Sequence, residues 1–141
     1  MIGGGGKRLL SLAAREADII SLVPKAKPGT LDFNDSSHAA TEQKIAWIRQ
    51  AAGERMAALE LNTLIFECLV TDQRQQVAEE VAQKWGIPVE HVLNSVHFLI
   101  GTVEHISEEV QMWRERFGIS YVTVFPQSMD AFTPVVAKLA G

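Results

Sequence analysis

The sequence predicts an α/β fold built on a parallel sheet, and three observations carry that prediction. Apolar, strand-like runs occur at Ile19–Val23, Leu59–Val70 and Ile119–Phe125. Between them lie longer stretches whose apolar residues recur at helical spacing. Strands separated by helices pair in parallel through right-handed crossovers. No linker-like stretch or internal repeat divides the chain, so residues 1–141 are expected to form one domain.

Taken in order, Met1-Ile2 is a stub followed by the glycine-rich stretch that completes residues 1–6. Lys7–Glu16 presents Leu9, Leu10, Leu12, Ala13 and Ala14 as a short apolar helix face. Ile19–Val23 reads as a buried strand. Residues 24–37 hold Pro24, Pro28, Gly29, Asn34 and Asp35 without a sustained period, and read as loop. From Ala39 to Met56 a stripe of Ile45, Ile48, Ala52 and Met56 predicts a helix, with Ser36 or Ser37 as its N-cap. Leu59–Val70 is the strongest strand, nearly continuous in apolar residues as expected when both faces are covered. Asp72 with Gln75 resembles a capping box before a helix bearing Val77, Ala78, Val81, Ala82 and Trp85, and Gly86 suits its C-terminus. Pro88 starts a short helix through Asn94, and Ser95–Ile100 reads as an apolar connector. Gly101-Thr102 caps a long helix with Val103, Ile106, Val110, Trp113 and Phe117 on one stripe, ended by Gly118. Ile119–Phe125 alternates as a strand, Pro126 stops it, and Met129–Leu139 is the final helix.

Composition narrows the function classes. Hydrophobic residues make up 47% and charged ones 21%, which excludes disorder as the main state. The 13 Lys+Arg against 17 Asp+Glu leave a net charge of −4, which offers no electrostatic footprint for nucleic acid or an anionic membrane surface. Apolar runs such as Val96–Ile100 fall far short of the roughly 18 residues of a membrane span. Met1–Gly6 lacks the basic leader and apolar stretch of a signal peptide. Cys68 is the single cysteine, so no internal disulfide or thiolate metal cage is available and a cytoplasmic, reducing location is expected.

Two segments carry a family resemblance. Ile2-Gly3-Gly4-Gly5-Gly6-Lys7-Arg8-Leu9-Leu10, running on through Ala13-Ala14-Arg15-Glu16-Ala17-Asp18, resembles a signature of the luciferase-like flavin and deazaflavin monooxygenases. Leu99-Ile100-Gly101-Thr102-Val103-Glu104-His105-Ile106, followed by Arg116-Phe117-Gly118-Ile119-Ser120-Tyr121-Val122, resembles that family's C-terminal pattern. Within the family the sequence looks nearest to the branch that uses coenzyme F420, with FMN as the alternative cofactor. The resemblance implies an α/β partial (β/α)8 TIM barrel, the C-terminal half with about strands five to eight, the fifth reduced to Met1-Ile2. Complete barrels of this kind need about 250 residues. The missing strands would supply much of the wall around the redox-active ring. The chain is therefore expected to be the half that binds the cofactor's phosphate tail, inactive alone. It would be covered by a homodimer or by a complementing N-terminal half. The rival expectation is a non-catalytic half-barrel assembly protein, stable as a homo-oligomer.

The candidate site residues follow. Successive glycines at Gly3, Gly4, Gly5 and Gly6 let backbone N–H groups converge on an anion, and Lys7 and Arg8 add charge at a helix N-terminus. In the resembling family the corresponding turn contacts the cofactor's phosphate-bearing tail. For this chain alone, a mobile terminus is the competing expectation. In a barrel, residues at the C-terminal ends of strands face the active site, which nominates Ser21, Glu67, His97 and Phe125 as pocket candidates. Glu67 reads either as a substrate-facing base or as a rim salt bridge. His97 reads as a pocket group or a hydrogen-bonded core histidine. Cys68 reads as a small buried hydrophobe. His91, His97 and His105 lack the spacing of a metal site, so no metal is expected. Trp47, Trp85 and Trp113 read as core anchors, and no residue is assigned a catalytic role.

Overall fold

The computed structural model describes residues 1–141. Its main sheet has four strands, β1 (Ile2–Gly4), β2 (Ile19–Leu22), β5 (Glu60–Ile65) and β8 (Ile119–Val124), in the order β1-β2-β5-β8. All neighbours are parallel, and the spatial order follows the chain order. That is the winding of a barrel. A doubly wound sheet would reverse direction at a switch point.

The expected mobile terminus is corrected: Ile2, Gly3 and Gly4 pair with Ile20, Ser21 and Leu22, so the glycine-rich start is an ordered edge strand. Helix α1 (Lys7–Glu16) follows directly and buries Leu10, Ala13 and Ala14. Residues 24–37 are more ordered than a loop, because β3 (Ala26–Lys27) and β4 (Thr30–Leu31) form a small antiparallel hairpin closed at Gly29 (φ 77°). A tight helical turn over Phe33–Ser36 follows the hairpin. Ser37 caps α2 (His38–Ala52) through its hydroxyl, which accepts from the Ala40 N–H at 3.1 Å.

The run Leu59–Val70 is not one strand. It breaks at Phe66 into β5 and β6 (Glu67–Val70), and β6 leaves the main sheet to pair in parallel with β7 (Phe98–Gly101). The apolar "connector" is therefore a strand: its continuous apolar residues are buried on both sides, a pattern that has no period to read. The capping box at Asp72 does not form either. Helix α3 (Arg74–Trp85) starts from Gln73, whose N–H bonds the Thr71 hydroxyl at 3.0 Å. Helix α4 (Val89–Leu93) leads toward β7, α5 (Val103–Phe117) is capped by Thr102, and α6 (Met129–Ala140) ends the chain. No helix is long and apolar enough to cross a membrane.

The main core lies on one face of the sheet. Ile20, Leu22, Leu61, Ile65 and Ile119 pack there against Leu10 and Ala14 of α1, Ile45 and Ile48 of α2, and Ile106 and Trp113 of α5. The other face carries Gly3, Ser21, Asn62 and Tyr121 in register across the four strands. Ile19, Leu64 and Tyr121 on that face join neither hydrophobic cluster, and Tyr121 is 40% exposed. One face is thus clothed in helices and the other is open. A smaller cluster of Phe33, Val81, Val92, Phe98 and Ile100 packs around the β6–β7 pair. Of the tryptophans, Trp113 is fully buried, whereas Trp47 and Trp85 are only half-buried at cluster margins.

Candidate functional site

The glycine-rich turn sits at the C-terminal end of β1. Gly4 and Gly5 are buried, and Gly5 is held where a Cβ would come within 2.5 Å of the Val23 carbonyl oxygen and 2.7 Å of the Lys25 nitrogen. Those are backbone atoms and cannot swing aside, so the position demands glycine. Gly6 then caps α1 without a side-chain bond, and the first helical turn holds no acidic residue. The first intrahelical bond runs from the Leu10 N–H to the Gly6 carbonyl at 3.0 Å. The N–H groups of Lys7, Arg8 and Leu9 precede that ladder, with the Lys7 and Arg8 side chains exposed beside them. Backbone donors, a helix dipole and two cations on one turn make an arrangement that favours an oxyanion.

A buried ion pair props the segment against which Gly5 packs. Lys44 on α2 donates to the Val23 carbonyl at 2.9 Å and the Asp35 carbonyl at 3.1 Å, and pairs with the Asp35 carboxylate at 2.7 Å. That carboxylate also accepts from the Lys25 N–H at 3.0 Å. Burial pulls the Lys44 amine below its ordinary pKa, opposed by Asp35. Sequence reasoning missed Lys44. Its signal was positional: a lysine on the same helical stripe as Thr41 and Ile48, where a solvated residue would not stand.

On the open face, Ser21 is tied into a polar ladder. Its hydroxyl donates to Asn62 Oδ1 at 2.7 Å, and Asn62 Nδ2 donates to the Tyr121 carbonyl at 3.1 Å and to Thr123 Oγ1 at 2.9 Å. Asn62 is 1% exposed and joins three strands. It too was missed, although it is the one amide in β5.

The other pocket candidates gather around Phe66, apart from the Ser21 ladder. Phe125 and His97 lie 6.1 and 5.7 Å from the Phe66 ring, centroid to centroid. Glu67 accepts from the Trp85 indole at 2.7 Å and the Lys84 amine at 3.0 Å. That is the rim salt bridge of the two readings. His97 is buried, with Nδ1 donating to the Leu64 carbonyl at 2.9 Å, and burial holds the ring's pKa down at about 4. It is a neutral core histidine. Cys68 is 2% exposed, and burial pushes its thiol up to about 11. His91 bonds Asn34, and His105 lies 3.6 Å from Glu109. The candidates thus divide between a glycine-rich turn, an open polar sheet face and an aromatic cluster beyond the end of β5.

This architecture was compared with known proteins. No protein-family model matches the chain, and neither does any curated protein. Solved structures do. A long-chain alkane monooxygenase superposes with a TM-score of 0.60 and 16% identity over 98% of this chain and 40% of its own. An EDTA monooxygenase from Chelativorans sp. BNC1 gives 0.65 and 14% over 99% of this chain and 43% of its own. A coenzyme F420 dependent tetrahydromethanopterin reductase from Methanopyrus kandleri gives 0.59 and 13% over 94% and 46%. The fold is part of the barrel seen in these structures. At these identities the likeness establishes architecture, and the chain spans only 40–46% of the length of the structures it matches. The partial barrel accounts for the sheet: four strands in chain order, helices on one side, and an open side that would be the interior of a closed barrel.

Proposed function

We propose that this partial barrel is the phosphate-tail half of an oxidoreductase that uses F420 or FMN. The observation that carries the reading is the turn from Gly3 to Arg8. Gly5 is pressed against backbone so that no side chain intrudes, and the α1 N-terminus presents its first N–H groups with Lys7 and Arg8 beside them. A phosphate monoester or diester fits this donor set by charge and by hydrogen-bond polarity. Support for the cofactor class comes from the partial likeness to a coenzyme F420 dependent reductase.

When bound, the cofactor's ring would supply the hydride chemistry, and the protein's part is binding and orientation. Lys7 and Arg8 neutralise the phosphate charge, while Gly3–Gly6 let the backbone approach it. On the open face Ser21, Asn62 and Thr123 bond one another, and Tyr121 beside them is 40% exposed. With less than half the length of the matched structures, the chain alone binds without turning over.

Fluorescence titration tests this. F420 and FMN are each titrated into the full chain, with riboflavin, which lacks the phosphate, as the control. Saturable binding of F420 or FMN, weakened at least tenfold for riboflavin and by Arg8→Glu, is expected. No response up to millimolar cofactor, or equal binding of riboflavin and FMN, overturns the reading.

A further inference from the structure

The main sheet ends in two unpaired edges, β1 and β8, and its four strands all run the same way. The helices that follow these edge strands both leave apolar side chains in water. Leu9 and Leu12 of α1 are 43% and 44% exposed, and Met129 and Val136 of α6 are 58% and 49% exposed. Beside α6 runs an open trough of about 400 Å3 lined by Val124, Met129, Phe132, Thr133, Val136 and Ala137.

Charge matches as well as shape. Helix α1 begins with Lys7 and Arg8 and ends with Arg15 and Glu16, whereas α6 has Asp130 in its first turn and, in its last, Lys138, which pairs with Glu104. Set side by side in parallel, the two helices oppose unlike charges at their N-terminal ends. Lys7, Arg8, Glu16 and Asp130 form no ion pair within their own chain. The two open edges of one molecule are thus complementary to each other.

We propose that two copies of this 141-residue chain close a single eight-stranded barrel, β8 of each copy pairing in parallel with β1 of the other about a two-fold axis along the barrel. Each of the two identical seams sets α6 of one copy against α1 of its partner. The exposed backbone groups of both edges are then paired, and Leu9, Leu12, Met129 and Val136 leave water. The open faces become one interior, with the Ser21–Asn62–Thr123 ladder of each copy facing that of the other. Each glycine turn lies next to the partner's β8, so an anion held there is enclosed only in the dimer. This inference stands apart from the cofactor reading, because its test contains no cofactor.

Sedimentation equilibrium of the full chain at micromolar concentration should give twice its mass of 15.5 kDa. Arg8→Glu and Asp130→Arg, made singly, should each raise the dimer dissociation constant about tenfold. Far-UV circular dichroism confirms that both variants fold. Mixing the two single variants should restore wild-type affinity, since both seams of the mixed dimer then oppose unlike charges. A monomer throughout the micromolar range overturns the proposal. So does a dimer indifferent to both variants, or a mixture no tighter than either variant alone. A chain that stays monomeric until a separately expressed front half-barrel is added also overturns it.

Discussion

The Lys44 ammonium reaches the Asp35 carboxylate at 2.7 Å with both side chains nearly sealed from water, at 3% and 13% exposure. Its remaining donors go to the carbonyls of Val23 and Asp35, so all three N–H bonds of the ammonium are used. The pair links α2 to the segment after β2 and thereby holds the backbone wall that confronts Gly5.

Removing one member should be worse than removing both charges. Asp35→Ala leaves a buried cation short of its counter-ion and should destabilise the fold by about 3 kcal/mol. The double variant Lys44→Met/Asp35→Asn removes both charges and leaves the Val23 and Asp35 carbonyls to be satisfied, with a loss of about 1–2 kcal/mol. Urea unfolding at neutral pH compares them directly. A double variant less stable than Asp35→Ala would show that the carbonyl bonds, rather than the ion pair, dominate.

Gly5 and Gly6 are neighbours with opposite tolerances. An added Cβ at Gly5 meets fixed backbone at 2.5 Å, whereas one at Gly6 meets nothing within 4 Å. Gly5→Ala should cost about 1–3 kcal/mol and shift the Val23–Lys25 wall, while Gly6→Ala should stay within about 0.5 kcal/mol of wild type. Thermal unfolding of the pair separates the two. Equal losses would mean that the turn relaxes freely and that its shape is not dictated by the approach of Val23.

The sequence made the helices and main strands legible because capping residues and one-sided periodicity act locally. Ser37 and Thr102 cap where expected, and Gly86 and Gly118 end their helices at φ 67° and 72°. The break at Phe66 was not legible, since a strand that changes partners keeps its apolar run and only the pairing of Glu67–Val70 with Phe98–Gly101 distinguishes the two halves. The terminus was misjudged for the same reason. Ile2–Gly4 has little intrinsic strand preference and is ordered by β2 alongside it. The site was half legible: the glycine turn stands out by composition. The Ser21–Asn62 bond and the Lys44–Asp35 pair join residues far apart in sequence, which single-chain pattern cannot bring together.

Cys68 offers a reporter of opening. It is the sole cysteine, lies in β6 at 2% exposure, and has its thiol pushed up to about 11 by burial. Both exposure and thiolate fraction are therefore low in the native state. An aromatic disulfide reagent at mildly alkaline pH should label the folded chain at least about a hundredfold more slowly than the urea-unfolded chain. Labelling at comparable rates would place β6 in a readily opening segment instead of a packed one.

His97 makes stability depend on pH in a defined window. In the fold its pKa is about 4, against 6.5 for the free ring, because burial disfavours the imidazolium more than the Leu64 carbonyl favours it. Between those values the unfolded chain holds a proton that the folded chain does not. Stability from this residue is therefore complete above pH 6.5, falls as pH drops toward 4, and levels off below. The span corresponds to at most about 3 kcal/mol. Glu109 acts in the opposite sense, since burial raises its carboxyl pKa and its contribution is greatest in acid. A comparison with His97→Gln cancels that background, and the glutamine amide can still donate to Leu64. The stability gap between wild type and His97→Gln should drift against wild type by up to about 3 kcal/mol as pH falls through the window. A gap that stays constant would mean that His97 titrates in the fold as it does in the unfolded chain, so that burial does not disfavour its imidazolium.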